Sequence, residues 1–109
     1  MVITMKPIPE IPRGRWTQGE IARDKLGKPT NSGNPNAFKW CLVGWIIKFN
    51  SENAERNKGI HDAITSVIRT KTCGVFRNID GWNDYPGRTL KEVNEVIRAA
   101  NSQLKTIKE

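Results

Sequence analysis

The sequence contains few of the residues from which catalytic and metal sites are built. It has one histidine, two cysteines and eleven acidic side chains among 109 residues. His61 and Asp62 are neighbours in a helical pattern, where adjacent side chains point about 100° apart, so they do not form an orienting pair. Asp80 and Asp84 share one segment but lack the third oxygen ligand that a divalent cation needs. We therefore predict no catalytic residue, no metal site and no cofactor.

The two cysteines do not have the spacing of a metal-binding or redox pair. Cys41 lies in an apolar run, which favours a small buried thiol. Cys73 precedes Gly74 near a loop and is expected to be more exposed. A Cys41–Cys73 disulfide and a Cys41–His61 nucleophilic pair remain alternatives, and each requires the two residues to meet in space.

Long hydrophobic runs are missing as well. No window reaches the roughly 18 apolar residues of a membrane span, and the N-terminus lacks the pattern of a secretory signal. These absences favour a cytoplasmic protein with no membrane partner. The length predicts one domain, and with an apolar content of 37% the four tryptophans must supply much of its core.

Positive charge is abundant, with 18 Lys and Arg residues and a net charge of +7. Such a balance suits an anionic partner, either an acidic protein surface or a nucleic acid. The N-terminal half contains Lys6, Arg13, Arg15, Arg23, Lys25, Lys28, Lys39 and Lys48. Arg13 and Arg15 could follow a phosphate backbone, but no helix-turn-helix with a basic recognition helix is present.

Apolar periodicity predicts an all-α fold of three main helices. The first begins at Asn34 as N-cap, with Pro35 at the first helical position, and continues to Phe49. Gly44 within it indicates close approach by another chain segment. The second carries an apolar stripe from Ile60 to Ile68. The third begins at a capping box formed by Thr89 and Glu92 and continues through Leu104 and Ile107.

The N-terminal region adds an arm and a short helix to this prediction. Pro7, Pro9 and Pro12 exclude a helix and predict an extended arm over residues 1–12. Thr17 and Glu20 have capping-box spacing and predict about two helical turns ending at Asp24. Residues 13–109 are then expected to form a single helical domain.

The segment from Ile79 to Thr89 combines aromatic, turn and helix-start residues. One hypothesis is a rigid corner in which Trp82 packs on the central helix and Asp84 accepts backbone hydrogen bonds. A second is an anion site formed by Arg88 at a helix N-terminus, unless Arg88 pairs with Asp80 or Asp84. A third is a hydrolase or transferase site in which Asn83, Asp84 and Arg88 converge.

Three motifs together resemble a family of small bacterial and bacteriophage proteins catalogued only as a domain of unknown function. The motifs are Arg15-Trp16-Thr17-Gln18-Gly19 with Ala22-Arg23-Asp24 and Gly27, then Trp40-Cys41-Leu42-Val43-Gly44, and Trp82-Asn83-Asp84-Tyr85-Pro86-Gly87-Arg88-Thr89. The resemblance covers about residues 13–100 and implies a compact helical domain of prophage or mobile-element genes. It supplies no activity or catalytic residue. The chain departs from the family in its strong positive charge and in Trp45 after Gly44.

From these observations we expect a non-enzymatic accessory protein of phage or mobile-element type in the bacterial host cytoplasm. It would bind another protein with an acidic surface, for example by inhibiting a host defence or regulatory complex, with nucleic-acid binding as the alternative. Trp16 and Trp82 are expected to pack near the central helix, so that the first and third motifs meet. The candidate binding residues are Arg88, Trp82, Asn83, Asp84, Arg13, Arg15, Arg23, Lys25 and Lys28.

Overall fold

The fold combines helices with a small antiparallel sheet, so the all-α prediction is wrong. The computed structural model describes residues 7–50 and 54–106. In order, the elements of these residues are β1 (Ala22–Asp24), β2 (Pro29–Thr30), β3 (Ala37–Trp40), α1 (Leu42–Asn50), α2 (Ala54–Lys71), α3 (Ile79–Asn83) and α4 (Leu90–Thr106). The architecture of the described residues is therefore α+β. None of these helices is long and apolar enough to cross a membrane.

The sheet replaces the predicted short helix between Thr17 and Asp24. Its strand order is β2-β1-β3, and both pairings are antiparallel, with Ala22 opposite Trp40. Gly19 has a φ of +83°, which interrupts the expected first helical turn. The hydroxyl of Thr17 accepts a hydrogen bond from Arg23 Nε at 2.9 Å instead of capping a helix. The capping-box spacing of Thr17 and Glu20 therefore does not mark the start of a helix in this chain.

The first main helix begins later than predicted. Asn34 Oδ1 accepts the Asn36 N–H at 2.7 Å, but this closes only a local turn before β3. Phe38 and Trp40 then lie in that strand, consistent with the preference of large rings for sheets. Helix α1 starts at Leu42, where Cys41 Sγ accepts the Gly44 N–H at 3.3 Å.

The close approach at Gly44 is confirmed. A Cβ at this position would overlap the backbone carbonyl of Ile21. That carbonyl also accepts the Cys41 N–H at 3.2 Å, so the loop before β1 crosses directly over the start of α1. Glycine is the only residue that leaves room for the crossing.

The helical stripes of α2 and α4 form a large part of the core. Helix α2 packs against both α1 and α4. The buried members of the two stripes are Ile60, Ile64, Val67, Ile68, Val93, Val96, Ile97 and Ala100. The capping box of α4 is confirmed, since Thr89 N–H donates to Glu92 Oε1 at 2.9 Å and Glu92 N–H donates to Thr89 Oγ1 at 3.2 Å. Ile107, placed on the predicted stripe, lies outside the described residues, as does Lys6.

The described part of the arm, residues 7–12, packs on the helices. Ile8 and Ile11 are each only 2% exposed and belong to the hydrophobic core. The backbone of the arm is bound by side chains of α4 and by Trp45 of α1. The arm therefore connects α1 with α4.

Candidate functional site

The three sequence motifs converge on the side chain of Asn83, which is fully buried. Its Oδ1 accepts hydrogen bonds from Trp16 Nε1 at 2.8 Å and from the Leu42 N–H at 3.1 Å. Its Nδ2 donates to the Thr17 carbonyl at 3.2 Å and to Asp84 Oδ1 at 2.9 Å. The amide thereby uses both donors and both acceptor positions. Asn83 is a structural junction with no free hydrogen-bonding group for a ligand.

Neighbouring residues of the first and third motifs extend this junction. Gln18 Nε2 donates to the carbonyls of Asn83 and Tyr85 at 2.8 and 3.0 Å. Asp84 is exposed, but its Oδ1 accepts the Gly19 N–H at 2.9 Å. Asp84 thus bonds to a backbone amide, as the corner hypothesis predicted, and the first and third motifs meet in space.

Arg88 lies against the tryptophan of the same corner. Its guanidinium carbon is 4.2 Å from the centroid of the Trp82 ring, and its Nε donates to the Trp82 carbonyl at 2.9 Å. Its ion pair is with Glu92 at 3.2 Å, rather than with Asp80 or Asp84. The side chain is only 12% exposed. These contacts engage Nε and Nη1 of the guanidinium and pair its charge with a carboxylate, which disfavours an anion site.

The cavities next to the corner do not bring its polar residues together. Asp84 borders a cavity of about 330 Å³ with Asp80 and Cys41, whereas Arg88 borders a separate one of about 190 Å³. Burial raises the pKa of the Cys41 thiol to about 11, so it stays protonated at neutral pH. Among the residues that the structure describes, no group of acidic, histidine and cysteine side chains could hold a metal ion.

The guanidinium of Arg23, another candidate binding residue, forms hydrogen bonds that stabilise the fold. It donates to the carbonyls of Gln18 and Gly27 at 3.1 and 3.0 Å, besides its bond to Thr17. These bonds tie the β1–β2 hairpin to the preceding loop. Of the other basic candidates, Arg13, Lys25 and Lys28 are exposed and Arg15 is half-buried.

Cations and aromatic rings alternate in a row that extends from the β1–β2 hairpin to the end of α1. The guanidinium carbon of Arg15 lies 4.1 Å from the Phe38 centroid, and Lys25 Nζ lies 5.7 Å from the same ring. Lys48 Nζ lies 4.9 Å from the Trp40 centroid. We call these five residues the cation–aromatic face.

A groove of about 640 Å³ borders this face, lined in part by Arg15, Lys25, Leu26 and Phe38. Leu26 is 82% exposed, the largest exposed fraction among the large apolar side chains of the described residues. Asp24 Oδ1 holds the hairpin tip by accepting the N–H groups of Leu26 and Lys28 at 2.9 and 3.0 Å. Leu26 is therefore presented on a fixed turn.

The sequence had indicated Arg15 and Lys25 but not Leu26, Phe38 or Lys48 as binding candidates. The apolar periodicity places Phe38 in a helix with its ring toward the core, whereas the structure has it in β3. In the sequence, the leucine and glycine between Lys25 and Lys28 are the signal that could have identified the hairpin tip.

Comparison with known proteins identifies one relationship. The model of a family described as a family of unknown function (DUF6197) matches residues 10–103. Neither the curated proteins nor the solved structures contain a match.

Proposed function

We propose that this chain, which belongs to the family of unknown function DUF6197, is a non-enzymatic protein that binds an acidic protein surface through its cation–aromatic face and Leu26. The observation that carries the proposal is the exposed Leu26 on a fixed turn, next to Lys25 and followed by Lys28. An apolar side chain surrounded by cations complements an apolar pocket with an acidic rim.

The cations of this face keep their charge, although Arg15 is half-buried and donates its Nε to the Phe38 carbonyl at 2.6 Å. Arg15, Lys25 and Lys48 contact aromatic rings, and within the described residues none of them has an ion pair with a carboxylate. A cation–π contact at an exposed site is worth about 0.5–1 kcal/mol and orients the cation without neutralising it. A partner's carboxylates would therefore meet positive charges that are already positioned.

The geometry favours a protein over a single-stranded nucleic acid. Nucleic-acid platforms stack bases on exposed rings. Here Trp40 is only 5% exposed, and the Phe38 ring is covered by Arg15. Leu26 gives a base no stacking surface. The setting we propose is the bacterial cytoplasm, where an accessory protein of phage or mobile-element type would inhibit a defence or regulatory complex.

The test compares two matched double variants in affinity capture from a bacterial extract. Lys25→Glu/Leu26→Ser alters the proposed surface. Lys71→Glu/Val75→Ser makes the same kinds of change elsewhere, since Lys71 is exposed and Val75 is 76% exposed. We expect the first variant to lose about ten-fold or more of the captured partner and the second to retain it.

The alternative, nucleic-acid binding, is distinguished from protein binding by measuring the affinity for labelled single-stranded DNA and RNA in a salt series. Steep salt-dependent binding that Lys25→Glu/Leu26→Ser abolishes would assign the face to nucleic acid. Equal retention of captured proteins by both double variants would contradict the proposal.

A further inference from the structure

Side chains of α1 and α4 bind the backbone of the arm, residues 7–12, in the way that a protein binds a separate extended peptide. Asn101 pairs with both backbone groups of Ile8, accepting its N–H at 3.1 Å and donating to its carbonyl at 2.8 Å. Asn94 pairs in the same way with Ile11, at 2.8 and 3.0 Å. Trp45 Nε1 adds a hydrogen bond to the Pro9 carbonyl at 2.7 Å. Side chains of the helices thus bind the backbone of an extended chain.

The repeat of the helix matches the repeat of the arm. Asn94 and Asn101 are seven residues apart, which is roughly 10.5 Å along a helix. Ile8 and Ile11 are three residues apart, which is about 9.3 Å in a polyproline-type chain, the conformation that the arm's prolines favour. Two amides two helical turns apart can therefore bind residues i and i+3 of any extended segment.

The groove also selects side chains. Ile8 and Ile11 are buried, whereas the prolines at 7, 9 and 12 are exposed and act through chain conformation. Arg98 Nη1 lies 3.0 Å from Glu10 Oε1, so the groove has a cation for an acidic residue between the two aliphatic ones. We call Trp45, Asn94, Arg98 and Asn101 the arm groove.

The arm lies outside every helix and strand of the described residues, although Ile8 and Ile11 contribute to the core. It joins the domain through one turn in which the Arg15 N–H donates to the Pro12 carbonyl at 3.0 Å. Gly14 in this turn has a φ of +80°. The connection is therefore a short hinge.

We propose that the arm groove is a recognition site for an extended segment of another protein, with two aliphatic residues three positions apart, a proline and an acidic residue between them. The arm is its ligand in cis, and the partner's segment replaces it. This inference does not rest on the proposed function: the arm groove shares no residue with the cation–aromatic face, although Trp45 contacts Trp40 of that face. A tethered ligand has an effective concentration on the order of millimolar, so the arm suppresses weak competitors.

The test uses full-length protein and a fluorescent peptide with the sequence of residues 7–13. The variant Ile8→Asp/Ile11→Asp weakens the arm and leaves the groove intact. We expect the peptide to bind this variant at least about ten-fold more tightly than the wild type, in which the cis arm competes. Adding Asn94→Leu/Asn101→Leu should abolish that binding. A peptide that binds all three proteins equally would overturn the proposal.

A second measurement decides the question if circular dichroism shows that the weakened-arm variant is unfolded. A nitroxide-labelled peptide at millimolar concentration is added to ¹⁵N-labelled wild type. Broadening of the Asn94 and Asn101 side-chain amide signals supports the proposal, and unchanged signals overturn it. If a nitroxide on the arm of a second full-length copy broadens them while the peptide does not, the groove belongs to a second copy and the proposal is also overturned.

Discussion

Trp16 donates its indole N–H to the side-chain oxygen of Asn83 at 2.8 Å, across 67 positions of sequence. The same oxygen accepts the Leu42 N–H, so one buried amide holds together the loop before β1, the start of α1 and the end of α3. The three sequence motifs thus meet in one hydrogen-bonded junction. In this chain their bonds hold the fold together, and the surface that we propose for a partner lies outside the junction.

Replacing Asn83 by leucine should destabilise the protein by at least ~3 kcal/mol, because Trp16, Leu42 and Thr17 would each retain a buried polar group without a partner. Urea denaturation measures the loss. Asn36→Leu is the control, since Asn36 is exposed and its side chain makes no hydrogen bond in the described part of the chain. Equal stability of the two variants would show that the junction is dispensable.

Because the Ile21 carbonyl lies against Gly44, adding one methyl group at position 44 should have a large effect on stability. Gly44→Ala should lower the free energy of unfolding by more than ~2 kcal/mol, although alanine normally favours a helix. Gly33→Ala is the matched control, because a Cβ there meets nothing within 4 Å and the residue has no positive φ. That control should be neutral or stabilising by up to ~1 kcal/mol. A neutral Gly44→Ala variant would contradict the close packing.

The sequence predicted the long helices well because each repeats its apolar pattern over several turns. The stripe of α2 and the capping box of α4 need no distant partner to be recognised. The same is true of Gly44, whose unfavourable place in a helix already required a close neighbour. The sequence was therefore sufficient for these features, because each depends on residues that are close together in the chain.

The sheet could not be predicted in the same way. Its strands are two to four residues long and contain too few alternations to distinguish them from a helical turn. The caps at Thr17 and Asn34 are present in the sequence, but pairing of Ala22 with Trp40 outweighs them. The cation–aromatic face depends on that pairing, which explains why Phe38 and Lys48 were missed.

Arg88 is predicted to stabilise the corner. Arg88→Ala should destabilise the protein by ~2 kcal/mol, since it removes the contact with the Trp82 ring and the bond to the Trp82 carbonyl. Lysine should restore little, because it lacks the planar guanidinium. Lys91→Ala, an exposed change on α4, should stay within ~0.5 kcal/mol. Loss of partner binding by a fully stable Arg88→Ala variant would instead favour the anion-site hypothesis.

The two cysteines should differ in reactivity toward a thiol reagent at neutral pH. Cys73 is exposed and should be modified quickly, whereas Cys41 is buried and its pKa is raised to about 11 by burial. Mass spectrometry should therefore find one rapid modification in the wild type and none in Cys73→Ser. Rapid labelling of Cys41 in that variant would show that the start of α1 opens readily.

The capping box should give the stability a measurable pH dependence through Glu92. The hydrogen bond from the Thr89 N–H is the main cause that holds the pKa of this carboxyl below its ordinary value, with Thr89 Oγ1 and Arg88 adding to it. A lowered pKa in the folded state means that the stabilisation is present above the ordinary value of about 4.3 and is lost as the pH falls below it. The advantage of the wild type over Glu92→Gln should thus be largest near pH 7 and shrink in acid. A difference between the wild type and Glu92→Gln that stays constant with pH would mean that the carboxylate charge does not support the helix start.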